Sequence, residues 1–163
     1  MSKQKSKQRK RASRIKYIKV SKIECSSYRL TNENKPSSLI RLSDSISKHG
    51  IIEPLIVFPA KTSSKTKYTV ICGQRRFKAA LEAKLNSVPC VILKLSQKEA
   101  LIVQLTMSLA REEANEAEEA KIINSLLNGG LSLDEIAIQT SSSPLTLNNK
   151  LLQLKSRNVS RET

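Results

Sequence analysis

The chain has 163 residues, of which 39% are hydrophobic, and its formal net charge is +15, from 29 basic and 14 acidic residues. This length can hold one ordinary domain or two small ones, and the apolar fraction excludes wholesale disorder. No apolar run reaches membrane-spanning length, and the charged N-terminus lacks the apolar segment of a signal peptide. Cys25, Cys72 and Cys90 lack metal-ligand spacing, so we expect reduced thiols and no metal site. Together with the missing membrane-spanning run and signal peptide, this predicts a cytoplasmic protein without membrane contact.

The basic residues concentrate near the N-terminus. Residues 1–30 carry eleven Lys or Arg and one Glu, and residues 1–14 form a low-complexity basic arm that we expect to be disordered when free. Such an arm attracts nucleic acid through counterion release, and the alternative is a tail that only aids solubility. With no Trp and five Phe or Tyr, base stacking on single strands is disfavoured, and double-stranded DNA is the favoured partner.

The pattern of residues 15–95 predicts an α+β domain. Apolar alternation, helical spacing and turn residues each mark elements there. Pro89 would place its strand at an edge or a strand start, because proline lacks the N–H that a central strand needs. The expected elements are a strand through Ile15, Tyr17, Ile18 and Val20, a helix from its cap Ser37 to about Lys48 with Gly50 as its stop, a hairpin of strands at 55–58 and 68–71, a helix after Gly73, and a strand at 88–93.

The pattern of residues 96–157 predicts an all-helical domain. Ser96 and Glu99 fit a capping box, in which each side chain satisfies a free amide of the other residue. The first helix is followed by an acidic stretch at 112–119, whose five Glu residues are most simply a solvated face of a second helix that ends at Gly129 and Gly130.

Residues 131–155 have the pattern of a helix-turn-helix. Ser132 and Glu135 form a second capping box, a helix of about eight residues reaches Thr140, a three-residue break follows, and Pro144 suits the first position of a longer helix. This arrangement is typical of DNA-binding motifs, although any small helical bundle gives the same pattern. The apolar positions expected on the last helix are Leu145, Leu147, Leu151, Leu152 and Leu154.

The segment around Gly73 is the strongest candidate for a ligand site. Gly73 stands between an apolar strand and a helix, where a backbone without a side chain can approach a ligand and free amides attract anions. Arg75 and Arg76 add forked donors suited to phosphate oxygens. The alternative is that both arginines are ordinary solvated residues of an amphipathic helix.

Three segments, taken in order, resemble the ParB partition-protein family. They are residues 42–55, residues 73–80 with the sequence GQRRFKAA, and residues 131–154, and the match spans about 37–155. The resemblance implies a ParB/sulfiredoxin-type N-terminal domain that binds CTP, a helical domain that reads a DNA site, and a separate C-terminal segment that dimerises. Because this sequence stops soon after the DNA-reading segment, we expect either a fragment or a homodimer formed through the first domain.

The resemblance and the residue chemistry together give two sets of candidate site residues. Carried over from the family, the nucleotide and phosphate set is His49, Gly50, Pro54, Gly73, Gln74, Arg75, Arg76 and Arg111. In the DNA-binding set, serines and basic residues would contact phosphates, asparagines can pair with adenine and threonine can meet a thymine methyl group. That set is Ser142, Ser143, Thr146, Asn148, Asn149, Lys150, Lys155 and Arg157.

Two departures from the family's pattern affect the expected chemistry. Gln74 stands where the family usually has Glu, and at residues 107–111 only Arg111 matches the family's third box. A neutral amide is a poorer ligand for a hard cation than a carboxylate. We therefore expect the phosphate site to persist and magnesium-dependent CTP hydrolysis to be weak or absent.

The leading hypothesis is a DNA-binding protein for plasmid or chromosome segregation, associated with the nucleoid or a plasmid, with double-stranded DNA, a second copy and a ParA-type ATPase as partners. The alternatives are a ParB-like transcriptional regulator, an enzyme on the same scaffold with Cys72 as a reactive thiol, and an adaptor that binds protein. Cys72 precedes Gly73 at a strand end, which favours a structural thiol and a binding protein over an enzyme.

Overall fold

The computed structural model describes residues 14–25, 36–59, 67–111 and 116–159, apart from the side chains of Pro36 and of residues 154–159. Of the expected basic arm, all but Arg14 lies outside these residues. The described residues divide into two compact units, one ending at Leu95 and one beginning at Ser96. Among the described helices, none is both long and apolar enough to cross a membrane.

The first unit combines a five-stranded sheet with two helices, which confirms the α+β prediction. The strands are β1 (Lys16–Lys19), β2 (Ile23–Cys25), β3 (Leu55–Pro59), β4 (Tyr68–Cys72) and β5 (Ser87–Ile92), and the helices are α1 (Pro36–His49) and α2 (Gln74–Glu82). The strand order is β1-β5-β3-β4-β2. β3 and β4 pair antiparallel, as the expected hairpin requires, and so do β1 and β5, whereas β2 with β4 and β3 with β5 are parallel.

The position of β5 excludes one of the two alternatives expected from Pro89, namely an edge strand. β5 lies between β1 and β3, so it is not an edge strand of the described sheet. Its pairing with β3 begins at Cys90, whereas Pro89 itself is paired with Tyr17 of β1. Proline is tolerated there because it precedes the second ladder, and its missing N–H is needed by no bond to β3.

Two further local features differ from the sequence predictions. α1 begins at Pro36, so Ser37 lies inside the helix rather than at its cap. Proline suits a first helical position because the N–H that it lacks would have no intrahelical partner there. The sequence does not predict β2, since this strand has three residues and is defined by its parallel pairing with β4.

The core of the first unit joins strand residues to one face of each helix. The strands contribute the fully buried Leu55, Val57 and Val70, and the helices contribute Ile46 and Phe77 to the same cluster. Burying an apolar side chain of this size stabilises the fold by roughly 1.5–3 kcal/mol. The cluster therefore holds the start of α2 firmly against the sheet, where the candidate ligand site lies.

The second unit is helical throughout its described part. It contains α3 (Gln97–Leu109), α4 (Glu116–Asn128), α5 (Leu133–Thr140) and α6 (Pro144–Val159). Both expected capping boxes are present, because Ser96 Oγ accepts from the amide of Glu99 at 3.3 Å and Ser132 Oγ accepts from that of Glu135 at 3.2 Å. The core contains Leu105, Ile122, Ile123, Leu126, Ile136 and Leu147.

Two assignments made from the sequence of this unit are wrong. Leu145 and Leu152, expected on the buried face of α6, are 70% and 53% exposed, whereas Leu147 is fully buried. At about 100° per residue, positions 145 and 152 lie about 160° and 140° around the helix axis from position 147. Glu118 and Glu119, expected on a solvated face, are buried, because both accept hydrogen bonds from α3.

Candidate functional site

Gly73 forms the turn between β4 and α2 in a conformation that a larger residue could adopt only with strain. Its φ is +94°, in the region that L side chains rarely adopt. A Cβ atom added there would lie 2.7 Å from Cδ2 of Leu55. Glycine is therefore required both by the backbone and by close packing. No side chain caps α2 at this residue, so the first amides of the helix lack a side-chain acceptor.

Arg76 is held by the connection that precedes β3. Its Nη1 donates to the carbonyl oxygen of Pro54 at 3.0 Å and also to that of Glu53. Its Nη2 lies 3.1 Å from Oε2 of Glu53, whose side chain is 80% exposed. The guanidinium thus ties this connection to the start of α2, and a solvated carboxylate occupies a position that a phosphate could take. The family resemblance did not single out Glu53, and only its place beside Pro54 could have indicated it.

The two residues before Arg76 differ in exposure. Arg75 is exposed, and its Nη2 donates to Oγ of Ser38 on α1 at 3.3 Å, a long hydrogen bond. Gln74 is 2% exposed, and its Nε2 has no hydrogen-bond partner among the described residues. Buried N–H groups in native structures nearly always have a partner. An acceptor atom of a ligand would supply the hydrogen-bond partner that Nε2 of Gln74 lacks.

The other residues of the expected nucleotide set are more dispersed. His49 ends α1, and Gly50 follows it at φ +70° with its N–H bonded to the carbonyl oxygen of Ile46 at 2.8 Å. Pro54 is half-buried, and its carbonyl oxygen accepts a hydrogen bond from Arg76. Arg111 is exposed and lies in the second unit, two residues after α3.

The groups around Gly73 fit an anion better than a hard cation. They are backbone amides, a guanidinium and a side-chain N–H, all of them donors. The carboxylate that contacts them, Glu53, is paired with Arg76. In the part of the chain that the structure describes, no group of three His, Cys, Asp or Glu side chains is placed to hold a metal ion.

The connection between α5 and α6 is three residues long and fixed by hydrogen bonds. Ser141 ends α5 with φ at +55°, and the amide of Ser142 donates to the carbonyl oxygen of Ala137 at 2.9 Å. Ser143 Oγ accepts from the amide of Thr146 at 3.1 Å, which caps α6. The start of α6 is therefore tightly positioned against α5.

α6 presents polar side chains on its outer face. Thr146, Asn148 and Asn149 are exposed, whereas Leu147 anchors the helix in the core. The exposed amides offer both donors and acceptors, as the edges of base pairs require.

Lys150 does not share this exposure. Its Nζ lies 2.5 Å from Oε2 of Glu119, and its side chain is 16% exposed. The ammonium neutralises a fully buried carboxylate, so the structure gives Lys150 an internal contact instead of the surface position expected from the sequence. Lys155 and Arg157 belong to α6, but their side chains fall outside the described residues.

The thiols of the first unit are unequal. Burial raises the pKa of the Cys90 thiol to about 11, so this thiol remains neutral and unreactive near pH 7. Cys72 is half-buried at the end of β4, immediately before Gly73.

Comparison with known proteins gives a family match that covers the first unit and α3. The model of the ParB N-terminal domain family matches residues 3–109, which is more than half of the chain. A chromosome-partitioning protein Spo0J of Thermus thermophilus is 39% identical over 119 residues, which are 72% of this chain and 43% of that protein. A nucleoid occlusion protein of Listeria innocua is 34% identical over 115 residues, 70% of this chain and 39% of the relative. The chain thus spans less than half the length of these curated relatives.

Two crystal structures of C-terminally truncated ParB from Caulobacter crescentus share the fold. The one complexed with CTP-gamma-S has a TM-score of 0.54 at 24% identity and covers 92% of this chain and 87% of that one. The one complexed to the centromeric parS site has a TM-score of 0.54 at 23% identity and covers 93% of this chain and 80% of that one. On the family match and on the identity to its relatives, this chain belongs to the ParB family.

Proposed function

We propose that this protein binds duplex DNA at a specific sequence, and that α5 and α6 act as its helix-turn-helix. The observation that carries the proposal is the capped three-residue connection, followed by a helix with Thr146, Asn148 and Asn149 on its outer face. A helix of this kind fits the major groove, where asparagine can pair with adenine and a threonine methyl can meet that of thymine. One ParB structure of the same fold is bound to the parS site, which supports a duplex as the partner.

The net charge supplies affinity that does not depend on sequence. At +15, the chain neutralises many phosphates and releases their counterions, so its affinity for duplex DNA falls steeply with salt. Residues 1–14, together with Lys155 and Arg157, are the proposed source of phosphate contacts. Lys150 is left out of this set because Glu119 already holds its ammonium.

In the first unit, we propose a site for the phosphates of a CTP-type nucleotide at the start of α2. Gly73 permits close approach, the first amides of α2 and Nε2 of Gln74 would donate to the ligand, and Arg75 would reach it from the surface. Arg76 would join by exchanging the carboxylate of Glu53 for a phosphate, since both anions use the same guanidinium donors. A ParB of the same fold is complexed with CTP-gamma-S, which supports this ligand class.

Magnesium-dependent turnover is proposed to be weak or absent. Gln74 offers a neutral amide in place of a carboxylate, and Glu53 is occupied by Arg76. A hard cation would therefore depend on the phosphates and water for most of its ligands. His49, Gly50 and Pro54 are the proposed wall of the pocket, and Arg111 is a further proposed phosphate-binding residue.

The proposed biological role is DNA segregation, which is the role named for the Thermus relative. A homodimer and a ParA-type ATPase partner belong to this proposal. A ParB-like transcriptional regulator is the alternative, since it would use the same DNA-reading surface. Sedimentation with and without DNA checks the dimer, and stimulation of a ParA-type ATPase checks the motor partner.

A binding selection on random duplexes, run with and without CTP, tests the proposal. We expect enrichment of one sequence and binding that weakens steeply between 50 and roughly 200 mM salt. Enrichment of no sequence, with affinity that does not change with salt, would contradict it. Magnesium-dependent release of phosphate from CTP at a substantial rate would overturn the proposed lack of turnover alone.

A further inference from the structure

A buried acid–base pair joins three helices of the second unit. Oε2 of Glu119 on α4 lies 2.5 Å from Nζ of Lys150 on α6, and Glu119 is fully buried. The other oxygen, Oε1, accepts a hydrogen bond from Oγ of Ser108 on α3 at 2.8 Å. Oε1 therefore has a hydrogen-bond partner on α3, whereas Oε2 has an ionic contact with α6 that lacks hydrogen-bond geometry.

A second buried contact lies beside the first. Nε2 of Gln104 on α3 donates to Oε1 of Glu118 on α4 at 3.0 Å. These two hydrogen bonds hold α3 and α4 together. Lys150 adds an ion pair between this pair of helices and α6, which also packs in the core through apolar residues such as Leu147.

The position of Lys150 on α6 determines which side of that helix faces outward. At about 100° per residue, Asn149 lies about 100° and Asn148 about 160° around the axis from Lys150. Apolar contacts are non-directional and tolerate small rotations of a helix. A rotation or a slide of α6 would instead separate the ammonium from the carboxylate and leave the buried charge of Glu119 unpaired.

We propose that Ser108, Glu119 and Lys150 fix the rotation of α6 and so present Thr146, Asn148 and Asn149 in one orientation. This inference rests on the proposed function, because it concerns the same DNA-reading surface. These are positioning residues, since none of them would touch DNA. A buried ion pair replaced by well-packed apolar residues usually leaves stability unchanged or improved, so orientation explains the pair better than stability does.

The decisive variant replaces the network without leaving a charge unpaired, by combining Ser108→Ala, Glu119→Leu and Lys150→Met. Its melting temperature is expected to equal or exceed that of the wild type. Its preference for the selected duplex over a scrambled duplex, measured by fluorescence anisotropy, is expected to fall about tenfold, which is the discrimination that one well-read base pair supplies. Lys121→Met, on α4 and outside the network, is the control and should change neither quantity.

A folded variant that kept the full preference would overturn the inference. Should it not fold, Lys150→Arg and Lys150→Gln decide the matter, since arginine keeps the charge and glutamine does not. The arginine variant should retain the preference within about threefold, and equal preference in the two would again overturn the inference. A wild-type protein without any sequence preference would overturn the proposed function as well, whereas a preference kept in the apolar variant overturns this inference alone.

Discussion

Two acid–base pairs, one in each unit, illustrate opposite uses of charge. Glu53 pairs with Arg76 at 3.1 Å in contact with solvent, and Glu119 pairs with Lys150 at 2.5 Å in a core. The exposed pair is screened by water, so a competing anion can displace its carboxylate at little cost. The buried pair cannot open without desolvated charges losing their partners. The first therefore suits a site that exchanges ligands, and the second suits a scaffold.

Removal of the acid from each pair should give the largest difference in stability between the two pairs. Glu119→Gln leaves the ammonium of Lys150 buried without its counter-charge, and the free energy of unfolding should fall by about 3–5 kcal/mol. Glu53→Gln should cost about 1 kcal/mol or less, because that pair is solvated. Urea unfolding followed by circular dichroism measures both, and similar losses in the two variants would contradict the contrast.

Two glycines with positive φ differ in how closely other atoms surround them. Gly73→Ala must accept both a positive φ and a Cβ 2.7 Å from Leu55, and we expect a loss of roughly 2–4 kcal/mol in unfolding free energy. Gly50→Ala meets no atom within 4 Å, so only the backbone term applies, about 1–2 kcal/mol. Thermal melts of both variants test this, and an equal effect would show that the packing against Leu55 is unimportant.

Nucleotide titration tests whether the exposed pair exchanges its anion. Glu53→Gln removes the competing carboxylate and should tighten CTP binding up to about fivefold. Arg75→Ala should weaken it about tenfold, through loss of a charge-assisted hydrogen bond. Calorimetry without a divalent cation measures both, with Arg41→Ala, an exposed arginine of α1, as the control. Unchanged affinity in Arg75→Ala would place the nucleotide elsewhere.

The smallest expected effect concerns two thiols of the first unit, Cys72 and Cys90. Burial raises the pKa of Cys90 from 9.0 to about 11, so its contribution to stability is complete below pH 9 and is lost as the pH rises towards 11. At pH 8 the half-buried Cys72 should be alkylated by iodoacetamide faster than Cys90. Mass spectrometry of the modified peptides gives both rates, and faster modification of Cys90 would contradict the assigned burial.

Features set by local sequence were predictable. The two capping boxes, the hairpin and the helix after Gly73 depend on residues within a few positions of each other, and the structure confirms them. The start of α6 at Pro144 follows from the same kind of local rule.

Features set by tertiary contacts were not predictable. Glu119 belongs to an acidic run that resembles a solvated face, and only Ser108 and Lys150, distant in sequence, make its burial possible. Glu53 likewise gains its role from Arg76, 23 positions later. β2 exists because it pairs with β4, and Pro89 is tolerated in a central strand because of its register. Pairing partners far apart in the chain leave no periodic signal in a single sequence.

The outer face of α6 is the surface proposed to read a duplex sequence. The most direct test of this claim compares the double variant Asn148→Ala, Asn149→Ala with Asn124→Ala, an exposed asparagine of α4, on the duplex enriched by selection and on a scrambled duplex. We predict that the α6 variant loses at least about tenfold in affinity for the enriched duplex and little for the scrambled one, while Asn124→Ala changes neither. Equal affinities of the wild type and the α6 variant for the enriched duplex would contradict the claim.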